Sequence, residues 1–317
     1  EIMVMKEMQG VRETHILDRG HYENRGKVVN RATPAVLTPF PEGAPLDRLG
    51  LAKWLTASDH PLLARVTVNR YWQMIFGRGL VSTSEDFGMQ GKPPSHPELL
   101  DWLARDFVKS GWNLHHLLKK MVLSHTYRQE SKILPNAEEI DPENLLLSRA
   151  PAYRLPAEMI RDSLLAHSGL LHKKIGGPGA KPYDLKVSFK PINPDGAPNV
   201  YRRSVYTFWK RTGPTPVMMA MDASKRDVCT VRRERTDSAS QALIMLNGTQ
   251  FVETARATAD ILIRNHGTTN SNDLIEEAFK KLTSRAPSEQ ESKILQNLLE
   301  EQKKYFTDDK ETEKFLK

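Results

Sequence analysis

Most of the chain shows the hydrophobic spacing of amphipathic α-helices. From residue 46 onward, apolar residues recur three or four positions apart, which places them on one face of a helix. One such stripe consists of Ala64, Val68, Tyr71, Trp72 and Ile75. Further stripes predict helices over about 96–110, 114–123, 156–171, 251–263, 272–283 and 288–306. The pattern therefore predicts the mainly α class, with a multi-helix domain over residues 46–310.

Two regions show the composition of short β-strands. The stretch THILDRG near the N-terminus and SVYTFWKR near 200–210 are rich in β-branched and aromatic residues. Four prolines between residues 34 and 45 predict an extended connector, so residues 1–45 are expected to pack on the main domain as strand, turn and connector. Glycine and proline predict a long loop over 173–200, and residues 311–317 are expected to be a frayed tail.

Helix starts are marked by capping residues. Ser95, Ser238 and Ser288 each precede an acid or amide by three positions, which is the spacing of a capping box. Asp141 followed by proline predicts another helix start. Inside the apolar stripe that begins at residue 64, Asn69 and Arg70 are expected to tie a helix end or a loop in place, because buried polar groups need partners.

Composition narrows the classes of function. The 317 residues carry a formal net charge of +7, which favours anionic partners. No apolar run approaches the roughly 20 residues of a membrane span, so none is expected. The single cysteine excludes an internal disulfide, a CxxC zinc site and a CxxCH haem attachment. The histidines lack the spacing of a helical metal pair, so the sequence predicts neither a metal site nor a cofactor within this chain.

Residues 201–211, YRRSVYTFWKR, interleave aromatic with basic side chains. Aromatic faces can stack on sugar rings or bases while guanidinium groups meet anionic oxygens. The alternative is an amphipathic strand whose rings face the core. The candidate ligand-binding residues of this segment are Arg202, Arg203, Tyr206, Trp209, Lys210 and Arg211.

A second basic segment lies just before the predicted helix start at Ser238. Guanidinium groups beside the free N–H groups of a helix N-terminus can bind sulfate, phosphate or carboxylate. The alternative, which the interspersed acids favour, is an internal salt-bridge cluster. The candidate ligand-binding residues are Arg232, Arg233 and Arg235, and the acids of the alternative are Asp222, Asp227, Glu234 and Asp237.

Glu158, Arg161 and Asp162 are spaced to share one face of the helix predicted near residue 156. Two carboxylates this close can perform acid–base catalysis, so Glu158 and Asp162 are the candidate catalytic pair. Arg161 between them offers a simpler hypothesis, in which the arginine neutralises both acids.

Cys229 lies between Arg226 and the arginines at 232–235. Neighbouring cations can stabilise a reactive thiolate. Free cysteine is nevertheless among the most buried residue types, and an apolar helix is predicted to follow. The sequence therefore predicts a buried structural cysteine.

Several long segments together resemble one family. They include PLLARVTVNRYWQMIFGRGLVSTSEDFGMQGKPPSHPELLDWLA, SHTYRQES, YRRSVYTFWKRTGP and DASKRDVCTVRRERTDSASQALIMLNG. Over about residues 15–300 the chain resembles the C-terminal domain of unknown function of large planctomycete proteins that often carry cytochrome-c-like domains. The resemblance implies an extracytoplasmic setting, periplasmic or secreted, and no established reaction. It also implies a cytochrome-c-like domain of the same or a partner protein as a partner, with haem confined to that separate domain.

These features favour a binding or organising module whose ligand is an acidic or sulfated polysaccharide. The implied compartment places polysaccharide ahead of nucleic acid. One alternative is a hydrolase that acts on such a polymer through Glu158 and Asp162, and another is a docking domain for a c-type cytochrome. A cleft that joins the polar groups would favour the enzyme, and a flat aromatic and basic surface would favour binding.

Overall fold

The computed structural model of the chain describes residues 2–133, 135–183, 193–210, 214–266 and 270–308. Within these ranges helices supply most of the regular structure, and the named strands form one two-stranded antiparallel sheet. The predicted mainly α class is therefore confirmed. Backbone contacts divide the chain into two compact units, Glu1–Tyr153 and Arg154–Lys317. The division falls inside the 46–310 region that the sequence groups as one helical domain.

The N-terminal unit begins with a β-hairpin and continues as a series of helices. The hairpin pairs β1, Thr14–Leu17, with β2, Arg25–Val29. The helices are α1 (Arg48–Leu55), α2 (Leu63–Phe76), α3 (Pro97–Lys109), α4 (Leu114–Leu123) and the short α5 (Ala137–Ile140). The proline-rich connector contacts α1, because Trp54 Nε1 donates a hydrogen bond to the Thr38 carbonyl at 2.8 Å.

The core of this unit lies where α2 packs against α3 and α4. The side chains of Val68 and Leu117 are fully buried there. Trp72 and Phe76 stack with their ring centroids 4.1 Å apart, and Phe107 meets Trp112 edge to face. The stripe that the sequence predicts over α2 is thus the face that this helix buries.

Asn69 closes the turn that follows α2. Its Nδ2 donates to the Val81 carbonyl at 3.0 Å and to Ser84 Oγ at 3.1 Å, and its Oδ1 accepts from Val81 N at 2.8 Å. Gly77 ends the helix with φ at 81°, in the left-handed region. The prediction that Asn69 ties a loop to this helix is confirmed. The companion prediction for Arg70 is wrong, because its side chain is exposed.

The C-terminal unit is built around one long helix. Its helices are α6 (Ala157–His167), α7 (Pro216–Ala220), α8 (Ala239–Asn247), α9 (Thr249–His266), α10 (Ser271–Thr283) and α11 (Glu289–Asp308). Helices α6, α8 and α10 all contact α9, and α11 packs on α10. A second small core gathers beside α7 from Ala157, Met218, Met221 and Ala223.

The segment around 200–210 does not form the continuous strand that its composition predicts. It folds as two 3₁₀ turns, Asn199–Tyr201 and Ser204–Tyr206, with isolated bridges from Arg202 to His172 and from Thr207 to Ala180. The physical reason is the partner available to its carbonyls. A buried arginine of α6, not a neighbouring strand, takes up two of them.

The capping predictions have mixed outcomes. Both predicted bonds of the box are present at Ser238 and at Ser288. At α3 the prediction is wrong, because His96 occupies the cap position with Pro97 behind it, and the Ser95 N–H bonds to the Leu80 carbonyl. Asp141 starts a turn and not a helix, since its carboxylate accepts from two backbone N–H groups at 2.7 and 2.8 Å.

Replacing Asn69 should destabilise the N-terminal unit. In Asn69→Ala the Val81 N–H loses its acceptor and the Val81 carbonyl keeps only the longer bond from Ser84 Oγ at 3.3 Å, and leaving a buried polar group unpaired costs about 1–3 kcal/mol. Urea unfolding followed by tryptophan fluorescence measures this unit, because Trp209 alone of the five tryptophans lies outside it. The exposed neighbour provides the control, and Arg70→Ala should change the unfolding free energy by less than about 0.5 kcal/mol. Equal losses in the two variants would contradict the assigned role.

Candidate functional site

Three segments that the sequence singles out meet around the first turns of α6. Asp162 of this helix accepts a hydrogen bond from the Ser204 N–H at 2.7 Å, which places the 201–210 segment beside it. Glu158, one turn earlier, binds Arg233 at 2.6 Å. The Arg226 guanidinium lies over the Trp209 ring, 4.7 Å from its centroid, and so links the two basic segments. The candidate site is therefore one continuous set of contacts within the C-terminal unit.

Arg161 is the buried centre of this arrangement. Only 4% of it is exposed, and all three nitrogens of its guanidinium donate hydrogen bonds. Nη2 reaches the Val200 carbonyl at 2.6 Å, Nη1 reaches the Arg202 carbonyl at 2.8 Å, and Nε reaches Gln250 Oε1 at 2.7 Å. Because these partners lie about 40 to 90 positions away along the chain, local spacing gives no signal for this role.

The two candidate catalytic carboxylates are both engaged by the fold. Asp162 Oδ1 accepts from both the N–H and the hydroxyl of Ser204, and it lies 3.7 Å from Arg161. Glu158 pairs with Arg233 and not with Arg161, which corrects the expected pairing. Distant residues supply that partner, because Arg161 is directed into the unit while Arg233 arrives from a loop. These contacts favour a structural role for Glu158 and Asp162.

Arg202 and Tyr206 hold a neighbouring loop. The Arg202 guanidinium donates to the carbonyls of Gly176 and Pro178 at 2.5 and 2.7 Å, and it lies 4.0 Å from the centroid of the Tyr206 ring. The Tyr206 hydroxyl in turn accepts from the Gly176 N–H at 2.9 Å. Arg202 is buried, so its guanidinium is directed to main-chain carbonyls within the unit.

The remaining candidates of the 201–211 segment lie nearer the surface. Arg203 is exposed, and Lys210 is half-buried. Trp209 is half-buried against the small core beside α7, so one part of its ring contributes to folding while Arg226 covers another. Arg211 lies outside the described residues.

Residues 223–235 form a loop between α7 and α8, here called the arginine loop. From Lys225 to Arg235 it carries five basic and two acidic side chains, and these residues are exposed apart from the half-buried Val231. Arg232, Arg233 and Arg235 all belong to its exposed part. The loop thus presents an excess of positive charge to solvent.

Asp222 closes the base of the arginine loop. Its carboxylate accepts from the Thr236 N–H at 2.7 Å, from the Thr236 hydroxyl at 3.0 Å and from Gln241 Nε2 at 3.3 Å, and it also pairs with Arg154. Asp222 therefore binds Arg154, which lies outside the cluster expected from the sequence, and the base of the loop. Burial opposes the charged carboxylate, but the bonds from Thr236 and the charge of Arg154 outweigh it and lower the pKa of Asp222.

Cys229 is exposed, so the prediction of a buried cysteine is wrong. It sits within the arginine loop, where the backbone has no regular structure and neighbouring side chains point outward. The apolar helix expected to cover it begins only at Ala239, after the loop has closed.

The described part of the chain shows neither a metal-binding cluster nor a membrane-spanning helix. No group of three or more His, Cys, Asp or Glu side chains there is arranged to hold a metal ion. No helix in those ranges combines the length and apolar character needed to cross a membrane.

The Asp222 contacts should make the C-terminal unit sensitive to acid. Because the folded pKa of Asp222 is lowered, its stabilising contribution is complete above its ordinary value of 3.8 and is lost as the pH falls through the folded value. Asp222→Asn should lower the unfolding temperature at pH 7, and its difference from the wild type should shrink on acidification. The exposed Asp227→Asn is the control and should follow the wild type at every pH. An Asp222→Asn difference that stays constant down to pH 3 would contradict this linkage.

The exposure of Cys229 predicts fast thiol chemistry in the native protein. A maleimide reagent should label the native and urea-unfolded chains at rates within about threefold of each other, whereas a buried thiol must wait for unfolding. Labelling is followed by mass spectrometry, and Cys229→Ser supplies the blank. If the native protein were labelled a hundredfold or more slowly than the unfolded chain, Cys229 would be buried and the prediction would be wrong.

The chain matches a family over most of its length. The family described as a protein of unknown function, DUF1553 (PSD1), matches residues 47–299. No curated protein and no solved structure matches the chain. The match covers both helical units and confirms the resemblance to a domain of unknown function. The chain therefore belongs to this family.

Proposed function

We propose that the C-terminal unit binds an anionic polymer, an acidic or sulfated polysaccharide, through the arginine loop. The observation that carries the proposal is the loop itself. The loop exposes an excess of arginines to solvent. The hydrogen bond from the Thr236 N–H to the Asp222 carboxylate joins its two ends. A guanidinium group can donate two parallel hydrogen bonds to a sulfate or carboxylate, which suits repeated anionic groups along a chain.

Contacts around the loop hold some of its arginines in place before a ligand binds. Arg226 stacks on Trp209, and Arg233 is anchored to Glu158, so part of the loop is already ordered before a ligand arrives. Ordering side chains on binding costs free energy, and anchoring them in advance reduces that cost. Arg232 and Arg203 are exposed, and their side chains form no hydrogen bond or ion pair with the residues that the structure describes, so they are the expected direct contacts.

The choice of polysaccharide rests on the setting implied by the family resemblance. An extracytoplasmic protein meets acidic and sulfated glycans more readily than nucleic acid. A basic loop by itself attracts either polymer through the same screened electrostatics. The proposal therefore includes a preference, at matched charge density, for a sulfated glycan over single-stranded DNA.

Titration calorimetry with dextran sulfate and neutral dextran tests the proposal on one polymer backbone. Dextran sulfate should bind the full chain saturably, and its affinity should fall as salt rises, because exposed charges are screened over about 8–10 Å. Dextran should give no saturable heat. Arg232→Ala should weaken dextran sulfate binding about threefold to fivefold, in keeping with an exposed charge contact of up to about 1 kcal/mol.

Arg256→Ala is the matched control, since Arg256 is an exposed arginine of α9 in the same unit. It removes the same charge away from the arginine loop and should leave the affinity unchanged. Equal weakening by both variants would show that only net charge matters and would contradict a loop site. Tighter binding of single-stranded DNA would contradict the glycan preference.

A further inference from the structure

A separate pocket lies on the N-terminal unit, along the solvent side of α4. It is an open depression with a volume of about 410 Å³, so a ligand bound there would remain partly exposed to solvent. Its lining consists of His116, Lys119, Lys120, Leu123 and Ser124. The first four stand at positions i, i+3, i+4 and i+7, so they share one face of the helix. The pocket is therefore basic over one part and apolar at Leu123.

Lys120 and His116 are held in place by neighbours. Lys120 Nζ lies 2.7 Å from Asp106 Oδ1 and 4.7 Å from the centroid of the Trp102 ring. His116 Nε2 lies 3.0 Å from the other oxygen of Asp106. The hydrogen bond from Lys120 is the main reason that the pKa of Asp106 is lowered, which keeps this carboxylate charged. Asp106 thus orients both groups from the α3 side.

Lys119 differs from these two side chains. Lys119 is exposed and forms no hydrogen bond or ion pair within the part of the chain that the structure describes. The Ser124 hydroxyl is already committed, because it donates to the Met121 carbonyl at 2.7 Å and accepts from the Tyr127 N–H at 3.1 Å. The side chains left for a ligand are therefore chiefly the two lysines, whose two positive charges exceed the single negative charge of Asp106.

We propose that this pocket binds a small organic oxyanion, a sulfate or phosphate monoester. Its tetrahedral group would lie among Lys119, Lys120 and His116, and its organic part against Leu123, which is 58% exposed. Ammonium groups act as point charges without the planar fork of arginine, so donors from three side chains suit a tetrahedral group better than a flat carboxylate. The site is independent of the arginine loop, which belongs to the other unit.

Binding of phenyl phosphate and phenyl sulfate to the full chain tests the pocket at constant ionic strength. Both esters should bind saturably and more tightly than inorganic phosphate or sulfate, because the ring gains contact with Leu123. Phenol, which lacks the anion, should not saturate. Intrinsic fluorescence should change on binding, since Lys120 sits against Trp102, and the change should vanish in Trp102→Phe while calorimetry still detects the ligand.

Lys119→Gln is the decisive variant, because Lys119 makes no contact that folding requires. It should weaken ester binding about fivefold and leave the unfolding temperature unchanged. Lys53→Gln on α1 removes the same charge from an exposed position of the same unit and should bind like the wild type. Equal affinities of Lys119→Gln and wild type, or equal weakening by both variants, would overturn the site. Inorganic ions binding as tightly as the esters would overturn the assignment to an organic monoester.

Variants in one site should not affect binding at the other, so the ester and polysaccharide proposals can be tested separately. Lys119→Gln should leave the affinity for dextran sulfate within twofold of the wild type, and Arg232→Ala should leave the affinity for phenyl phosphate unchanged. Loss of ester binding in Arg232→Ala would contradict two independent sites.

Discussion

The C-terminal unit depends on the burial of one charged side chain. A guanidinium group taken out of water must recover its hydrogen bonds inside the protein, because an unpaired buried charge costs several kcal/mol. Arg161 does so by binding two main-chain carbonyls of the 199–204 segment and Gln250 of α9. These bonds join α6, the 3₁₀ turns and α9. Asp162, next in sequence, then holds Ser204 from the same helix.

Two sets of arginines in this unit differ in their surroundings. Arg161 and Arg202 are buried, and their guanidinium groups donate to main-chain carbonyls of loop segments that are not paired in a β-sheet. The arginines of the arginine loop are exposed, and the loop base is closed by Asp222 and Thr236. The positive balance of the composition is thus not spread evenly. One exposed concentration of it in this unit is the arginine loop, whose two ends are joined by the hydrogen bonds between Asp222 and Thr236.

In the N-terminal unit, a buried neutral side chain forms the hydrogen bonds that hold a loop in place. Asn69 lies in an apolar helix face, and its amide pairs with both backbone groups of Val81, so that the chain can turn away from α2 without leaving unpaired donors. Gly79 is required at this turn, because a Cβ there would lie 2.6 Å from the Asn69 amide nitrogen. On the outer side of the same unit, Asp106 pairs with groups on α4 and leaves that helix with a basic face.

Most of the helices, the fold class and the candidate segments could be predicted from the sequence. Periodicity of apolar residues located α2, α4, α10 and α11, since a helix face is a local property that neighbouring residues specify. Capping boxes at Ser238 and Ser288 are local too, and both are present. The basic and aromatic segments could be identified for the same reason, because their residues are close together in the sequence.

The contacts that those segments make could be known only from the folded chain. The partners of Arg161 come from residues 39 to 89 positions away, so spacing could not distinguish a helix-face ion pair from a buried anchor. The 200–210 segment has strand composition but no strand beside it, and its carbonyls turn to Arg161 instead. Cys229 is exposed because its loop closes before α8 begins, although the residue type favours burial. In each case the structure of the segment depends on how distant parts of the chain are arranged, and such arrangements cannot be predicted from the local sequence.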